Sequence, residues 1–205
     1  MREPVLDYKG QHFEFHDVPM TIKPHQLPYP PMWYPSFSPD GTTFAARHGF
    51  NFMSLGPPSL TTDLMQLYRE TWRAHQTDEG RLNGHVAEPK LGAMRQIFIA
   101  ETDQQAIDIA RPAYETWYQS ITELWHRNDD HSYDSFFAWD ACLESETILI
   151  GSAETVREKL QTVITQSGIN YVVGSFAWGS LTAAQSQDSF GRFVDDVATS
   201  LVPAA

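Results

Sequence analysis

The feature that most constrains the fold is the segment from Leu91 to Ala100, which ends in the uninterrupted apolar run Ile97-Phe98-Ile99-Ala100. A strand that is apolar on both faces is typical of a parallel sheet covered by helices. Glu101-Thr-Asp follows at once as a helix cap, and a long helical pattern then runs from about Asp103 to Arg127, with Pro112 expected to kink or split it. The segment therefore predicts a strand–loop–helix unit of the α/β type.

The same alternation of strand, tight loop and helix recurs along the chain, at least four times in all. Further strands are predicted around 32–34, 50–55, 148–150 and 169–174, each with a helical pattern after it. The helix after the second of these is expected from about Asp63, with Thr61 or Thr62 as its cap. We predict an α/β fold with parallel strands in a single domain, residues 1–205.

Three further segments complete this plan. Residues 1–29 are predicted to form a hairpin or an extended arm around Gly10, and residues 128–147 an insertion that packs over the site. Right-handed crossovers would bring all the strand-to-helix loops to one rim of the sheet. These loops are predicted at 35–41, 55–60, 101–103 and 175–182.

The turn between the first predicted parallel strand and its helix, Ser36 to Gly41, allows two interpretations. Ser38 or Asp40 can cap the helix, because a side-chain oxygen there accepts the free amides of the first turn. The same amides and the positive end of the helix dipole suit a phosphate group, with Gly41 allowing close approach. Spacing alone favours the ordinary capped turn.

Composition excludes several classes of partner. The formal net charge is −12, which repels nucleic acid and anionic membranes. A single cysteine, Cys142, forms no internal disulfide, and no run approaches 18 apolar residues. We therefore expect a cytoplasmic protein.

Histidines suggest a metal at two places, and neither yields a predicted metal site. His12, His16 and His25 lie in the N-terminal segment without a convincing ligand spacing, so a small metal enzyme ranks low. His131 lies close to three aspartates, where a solvated acidic loop is the preferred interpretation. Those aspartates are Asp129, Asp130 and Asp134.

Four motifs in order make the chain resemble the luciferase-like family of flavin-dependent monooxygenases. They begin with Lys23-Pro-His-Gln-Leu-Pro-Tyr-Pro-Pro-Met-Trp, followed by Ser36-Phe-Ser-Pro-Asp-Gly with Ala45-Ala-Arg-His-Gly. Arg95-Gln-Ile-Phe-Ile-Ala-Glu-Thr-Asp, Ile150-Gly-Ser-Ala-Glu-Thr-Val-Arg-Glu-Lys-Leu and the tail that starts at Phe190 continue the pattern. The match covers nearly the whole chain, but only the C-terminal half of a typical family member.

The resemblance implies a partial (β/α)8 TIM barrel of about four C-terminal βα units plus the N-terminal arm. It also implies reduced FMN, or the deazaflavin F420, as cofactor, with O2 as co-substrate and NAD(P)H acting indirectly through a flavin reductase. The flavin phosphate would lie on the turn before the Ala-Ala helix. The residues carried over are Phe37 through its backbone, Ser38, Asp40 and Gly41.

The functional prediction is a monooxygenase or oxidoreductase acting on a small organic substrate. Phe176 and Trp178, in the loop after the last strand, are candidates for the substrate pocket, and no catalytic residue is nominated. The alternative is a non-catalytic, truncated homologue that only packs or associates with a partner. That partner would be a second copy or a complementing chain.

Overall fold

A computed structural model describes residues 3–203 of the chain; the first two and last two residues of the predicted domain lie outside the described part. An antiparallel hairpin precedes the main body, with β1 at Val5–Lys9 and β2 at Glu14–Pro19. Its register pairs Val5 with Pro19 and Lys9 with Glu14 around the expected turn. The hairpin is almost wholly exposed, which agrees with the predicted N-terminal arm.

The main body is a five-stranded parallel sheet flanked by helices. Its strands are β3 (Trp33–Ser36), β4 (Asn51–Ser54), β5 (Leu91–Ile99), β6 (Ile148–Gly151) and β7 (Tyr171–Ser175). The long β5 pairs with three neighbours, and its residue Gln96 is matched with Ile148 of β6 and with Ser175 of β7. These two strands therefore lie on opposite edges of β5. The predicted parallel α/β fold is confirmed.

Helices connect the strands, and their ends carry the local signals expected from sequence. The helices are α1 (Pro39–His48), α2 (Pro58–His75), α3 (Asp103–His126), α4 (Asp134–Phe137), α5 (Trp139–Glu144), α6 (Ala153–Ser167) and α7 (Ala183–Arg192). Ser152 caps α6 by accepting a hydrogen bond from the Thr155 amide, and Gly168 ends that helix in the left-handed conformation. Thr102 caps α3, which runs through Pro112 as one helix.

The start of α2 differs from the expectation. The helix begins at Pro58, five residues before the predicted start at Asp63. Proline fits a first helical turn because its fixed φ suits the helix and its missing N–H would have no partner there. Thr61 is buried inside the helix instead of capping it, and its hydroxyl lies 3.1 Å from the Gly56 carbonyl and 2.9 Å from Ser54 Oγ.

The C-terminal helix also ends earlier than expected. Its regular part, α7, stops at Arg192, followed by a π-helical turn at Phe193–Val197 and a 3-10 turn at Ala198–Ser200. The predicted insertion at 128–147 contains the two short helices α4 and α5. Within residues 3–203, no helix combines the length and apolar character needed to cross a bilayer.

Two hydrophobic clusters hold these elements together. The larger lies between the sheet and helices α1, α2 and α6, and it includes Phe52, Leu64, Ile97 and Leu160. The second lies between the end of the sheet, α3 and the insertion, and it includes Phe98, Tyr114, Trp139 and Cys142 among its members. The second cluster forms one wall of the cavity described next.

Candidate functional site

A cavity of about 310 Å³ lies at the carboxyl ends of β3, β4 and β7. It is lined by Phe37 after β3, by Leu55 after β4, and by Ser175, Ala177 and Trp178 at the end of β7 and in the loop after it. In a parallel α/β sheet these are the ends at which ligands bind. Three of the loops predicted to share a rim therefore meet at one cavity.

The wall of this cavity is mainly aromatic and apolar. Its floor is formed by two residues of β5, Met94 and Gln96, and its sides by residues of α3 and the insertion. These side residues are Tyr114, Trp117, Phe136, Phe137 and Cys142. None of the described residues that line the cavity is a histidine, a carboxylate or a basic residue. The site can bind an aromatic or apolar group and exclude water, and the described part of the chain places no charged acid or base in its wall.

The insertion, residues 128–147, covers the cavity as a lid that is fastened to α3. Tyr114 Oη of α3 donates to the Phe137 carbonyl at 3.1 Å and lies 3.2 Å from Cys142 Sγ. Within the lid, Cys142 Sγ donates to the Phe136 carbonyl at 3.2 Å. Burial raises the pKa of both Tyr114 and Cys142, and the hydrogen bond to Cys142 raises the Tyr114 pKa further. Both groups are therefore neutral near pH 7, and Cys142 is a buried packing residue instead of a nucleophile.

A second fastening lies at the outer end of the lid, at the start of α4. Asp134 Oδ1 lies 2.6 Å from His126 Nε2 and 2.8 Å from Tyr118 Oη, while its Oδ2 lies 2.8 Å from His131 Nδ1. Hydrogen bonds from His126, Tyr118 and His131 hold the pKa of Asp134 well below its usual value. The carboxylate is therefore ionised at neutral pH and ties α4 to the end of α3.

The turn from Ser36 to Gly41 is a capped helix start beside the cavity. Ser38 is the N-cap of α1, and its Oγ accepts a hydrogen bond from the Gly41 amide at 3.2 Å. The Thr42 amide donates to the Ser38 carbonyl, and Pro39 has no N–H. That leaves the amide of Asp40, for which residues 3–203 supply no hydrogen-bond acceptor.

Gly41 is needed here for a reason that the sequence did not show. A Cβ at Gly41 would clash with the Oγ of Ser36 and lie 2.9 Å from its Cβ. The Ser36 side chain therefore occupies the space in which a side chain at position 41 would lie. Asp40 is exposed, and Phe37 extends from the turn to the cavity and approaches the lid, with its ring centroid 6.5 Å from that of Phe136.

The predicted pocket pair is separated by the structure. Trp178 lines the cavity, is 6% exposed and donates from Nε1 to the Ser175 carbonyl at 3.2 Å. Phe176 is turned to the other side, where its ring lies 5.2 Å from that of Phe190 and 5.1 Å from that of Phe193. Phe176 thus packs against an aromatic residue of α7 and one of the turn after it, at the edge of the larger cluster.

Sequence reasoning missed the floor and the lid of the site. Met94 and Gln96 alternate with outward residues along β5, so an alternation of period two was the available signal. The continuous apolar composition of that strand obscured it. Tyr114 and Trp117 lie one turn apart on α3, a spacing that indicates a shared helix face but not what that face contacts.

The chain matches the family model described as luciferase-like monooxygenase over residues 1–171. The uncharacterized protein y4wF of Sinorhizobium fredii is 31% identical over 186 residues, which is 88% of this chain and 52% of that protein. Two solved structures share the fold at low identity. The oxygenating constituent of 3,6-diketocamphane monooxygenase from Pseudomonas putida, in complex with FMN, has a TM-score of 0.68 at 17% identity, covering 100% of this chain and 60% of that one.

The second structure is the coenzyme F420-dependent tetrahydromethanopterin reductase from Methanopyrus kandleri. It has a TM-score of 0.62 at 12% identity, covering 96% of this chain and 58% of that one. The chain thus spans a little more than half the length of the proteins it matches, and its five-stranded sheet corresponds to a partial barrel. The extent of the family match, together with the homology to y4wF, shows that this chain belongs to the luciferase-like monooxygenase family.

Proposed function

We propose that this chain forms the flavin-binding part of an oxidoreductase that uses reduced FMN and O2 to oxygenate a small organic substrate. The observation that carries the proposal is the aromatic cavity at the carboxyl ends of the strands, next to the capped start of α1. A volume of about 310 Å³ lies at the lower end of the range for small-molecule sites. A flat, largely apolar ring fits its aromatic walls.

The turn beside the cavity suits the phosphate end of such a cofactor. The Ser38 hydroxyl accepts one hydrogen bond from Gly41 and lies 3.3 Å from Ser36 Oγ, and its proton can turn from that contact to a phosphate oxygen. The amide of Asp40 and the positive end of the α1 dipole favour an anion at the same place. Phe37 and Gly41 would contribute backbone and shape, with the exposed carboxylate of Asp40 directed away from the phosphate.

When bound, a reduced flavin supplies the redox chemistry, and the residues of this chain bind, orient and exclude water. Trp178 and the lid residues Phe136 and Phe137 would form the wall that a small apolar substrate contacts. Gln96 and Ser175 are polar groups in that wall that can orient the substrate or the ring. NAD(P)H would act through a separate flavin reductase.

A titration with FMN tests the proposal, with binding monitored by the quenching of flavin fluorescence. The Ser38→Ala variant should bind FMN about 5- to 150-fold more weakly, because a hydrogen bond to a charged group contributes about 1–3 kcal/mol. Ser152→Ala is the matched control, since Ser152 caps α6 in the same way away from the cavity. Equal FMN affinity in the two variants would remove Ser38 from the site.

The same titration with F420 distinguishes the two cofactors. Binding of F420 but not FMN would change the proposed reaction from oxygenation to hydride transfer with a deazaflavin. Binding of FMN, followed by substrate oxidation in the presence of a flavin reductase, NADH and O2, would support the monooxygenase. A chain that binds neither cofactor would exclude both forms of the proposal.

A second candidate function follows from the sheet edges. Among the described strands, β3 pairs only with β4 and β7 pairs only with β5, so each has an open edge. Open edges of a parallel sheet favour association with further chain. In this alternative the chain is non-catalytic and packs against a second copy or a complementing chain, and purified protein would associate yet bind no flavin.

A further inference from the structure

A cluster of two histidines and one aspartate lies at the outer end of the lid, away from the cavity. His126 is the last residue of α3, Asp134 is the first residue of α4, and His131 lies in the turn between them. One ligand atom from each of the three lies within 4.8 Å of the other two. The cluster thus gathers two imidazole nitrogens and a carboxylate oxygen from the two ends of one loop.

The geometry is close to that of a first coordination sphere. The two histidine nitrogens lie 2.6 and 2.8 Å from different oxygens of the Asp134 carboxylate. Around Zn²⁺, ligands at about 2.0–2.2 Å in a tetrahedron are separated from each other by about 3.3–3.6 Å. The two rings are stacked with centroids 4.6 Å apart, so they approach the carboxylate from the same side. To admit the ion, these two nitrogen–oxygen distances would have to lengthen by about 0.5–1.0 Å.

The surroundings also resemble a supported metal site. The Tyr118 hydroxyl fixes Asp134 by donating to Oδ1 at 2.8 Å. Asp129 Oδ1 lies 3.8 Å from His131 Nε2, the ring nitrogen that faces away from Asp134; this is longer than a hydrogen bond, and a small rotation of the exposed carboxylate would bring it within reach. Metal-binding histidines usually have an acceptor for that second nitrogen, because it fixes the tautomer and the ring orientation. The three side chains are 32%, 57% and 37% exposed, which leaves a path for the ion and room for a water ligand.

We propose that His126, His131 and Asp134 bind a divalent transition metal of the Zn²⁺ class, with water completing the coordination. Imidazole and carboxylate ligands suit Zn²⁺ and its neighbours better than Ca²⁺ or Mg²⁺, which prefer oxygen ligands alone. The ion would lock α4 to the end of α3. Because Phe136 and Phe137 follow Asp134 by two and three residues, the ion would also hold the lid over the cavity.

Binding of the metal can be measured without flavin. Wild-type protein freed of metal by chelator and dialysis should bind one Zn²⁺ with a dissociation constant in the micromolar range or below, measured by isothermal titration calorimetry. Co²⁺ should produce visible absorption bands of a tetrahedral or five-coordinate centre. Trp125 adjoins the cluster and its ring lies 4.8 Å from that of Tyr133, so its fluorescence should change at the same stoichiometry.

A matched pair of variants identifies the ligands. His131→Gln should weaken Zn²⁺ binding at least tenfold and abolish the Co²⁺ bands. His75→Gln is the control, because His75 Nδ1 lies 2.7 Å from Asp78 Oδ2 with the same three-residue separation but without a second histidine. Its Zn²⁺ affinity should change less than twofold.

His131 is exposed, so its replacement should leave the fold intact, and circular dichroism checks this. The proposal is overturned if wild-type protein shows no saturable 1:1 binding, or if His131→Gln binds Zn²⁺ as tightly as His75→Gln. In either case the cluster is a hydrogen-bonded His–Asp–His clamp without a metal. The outcome is independent of flavin binding, so a failed FMN titration would leave it unchanged.

Discussion

The two faces of the parallel sheet are covered to very different degrees. On the outer face, Phe52, Ala93 and Ile97 are at most 1% exposed beneath the helices. On the inner face, Met53, Met94 and Val173 are only half-buried, and Met53 and Met94 alternate with buried residues along their strands. The lid covers the carboxyl end of the inner face alone.

The difference shows which surface this chain completes by itself. A parallel sheet is normally covered on both faces, because its strands are apolar on both sides. Here the helices bury the outer face over the central strands β4 and β5, while the inner face presents apolar side chains that remain half-buried. The stability of the fold should therefore depend mainly on residues of the outer face. The binding of a ligand or of another chain should depend mainly on residues of the inner face.

Phe52→Ala should have the largest effect, because it empties the centre of the outer face. The Phe52 ring is 0% exposed and stacks on Tyr68 with centroids 5.5 Å apart. Loss of a buried phenylalanine costs about 3–5 kcal/mol through lost burial and the remaining cavity. Urea unfolding measures the change. Met53→Ala, one residue along on the inner face, is the control and should cost less than half as much; equal costs would contradict the distinction between the two faces.

Gly179→Ala should have the next largest effect, because it disturbs the loop that carries Trp178. Gly179 has φ +57°, and a Cβ there would clash with the Ala113 carbonyl of α3. We expect a loss of more than about 2 kcal/mol, since left-handed strain of about 1–2 kcal/mol adds to the clash. Gly80→Ala is the control, because Gly80 has φ +74° and no atom of residues 3–203 lies within 4 Å of an added Cβ. Equal unfolding free energies for the two variants would show that the loop moves freely.

Much of the fold was predictable, because the relevant signals are local. Helix α6 begins after Ser152 and ends at Gly168 as expected, because a cap acts within one turn of the chain. The buried strand β5 followed from its unbroken apolar run. The predicted start of α2 was wrong because the helix begins at the Pro57-Pro58 pair. The hydroxyl of Thr61 makes tertiary hydrogen bonds instead of capping the helix.

The site was predictable only in part. The loop after β7 was correctly located at the strand ends, but Trp178 and Phe176 are two residues apart and turn to opposite sides. No local rule decides which of the two faces the cavity, because the partners of Phe176 come from α7 and the turn after it. Likewise, Arg95 is fully buried in β5, and residues 3–203 offer no hydrogen-bond partner to its Nε and Nη2, a placement that an isolated strand sequence does not reveal.

Tyr68 allows a pH test of the outer face. Burial raises the pKa of Tyr68 well above its ordinary value near 10, and its hydroxyl donates to the Phe50 carbonyl. The folded state therefore keeps a proton that the unfolded state loses as pH rises through 10. Stability should be constant below that pH and fall above it, by up to about 1.4 kcal/mol per pH unit for one such group.

The check is the free energy of unfolding between pH 8 and 11. Tyr68→Phe should be less stable than wild type at pH 8, by about 1 kcal/mol for the lost hydrogen bond, and should lose part of the decline above pH 10. Tyr8→Phe, in the exposed hairpin, should keep the wild-type profile. An unchanged slope in the Tyr68→Phe variant would mean that the outer face admits water.

Val173→Thr should have the smallest effect, because its side chain lies on the half-open inner face. Replacing one methyl group by a hydroxyl there should cost under about 1 kcal/mol, whereas Val163→Thr in α6, at 0% exposure, should cost about 1–3 kcal/mol. Both are measured by urea unfolding at low and at high protein concentration. If the destabilisation by Val173→Thr rises with protein concentration towards that of Val163→Thr, association of chains buries the inner face. The two faces then differ only in the isolated chain. If the destabilisation stays small, the chain keeps its inner face accessible to ligands.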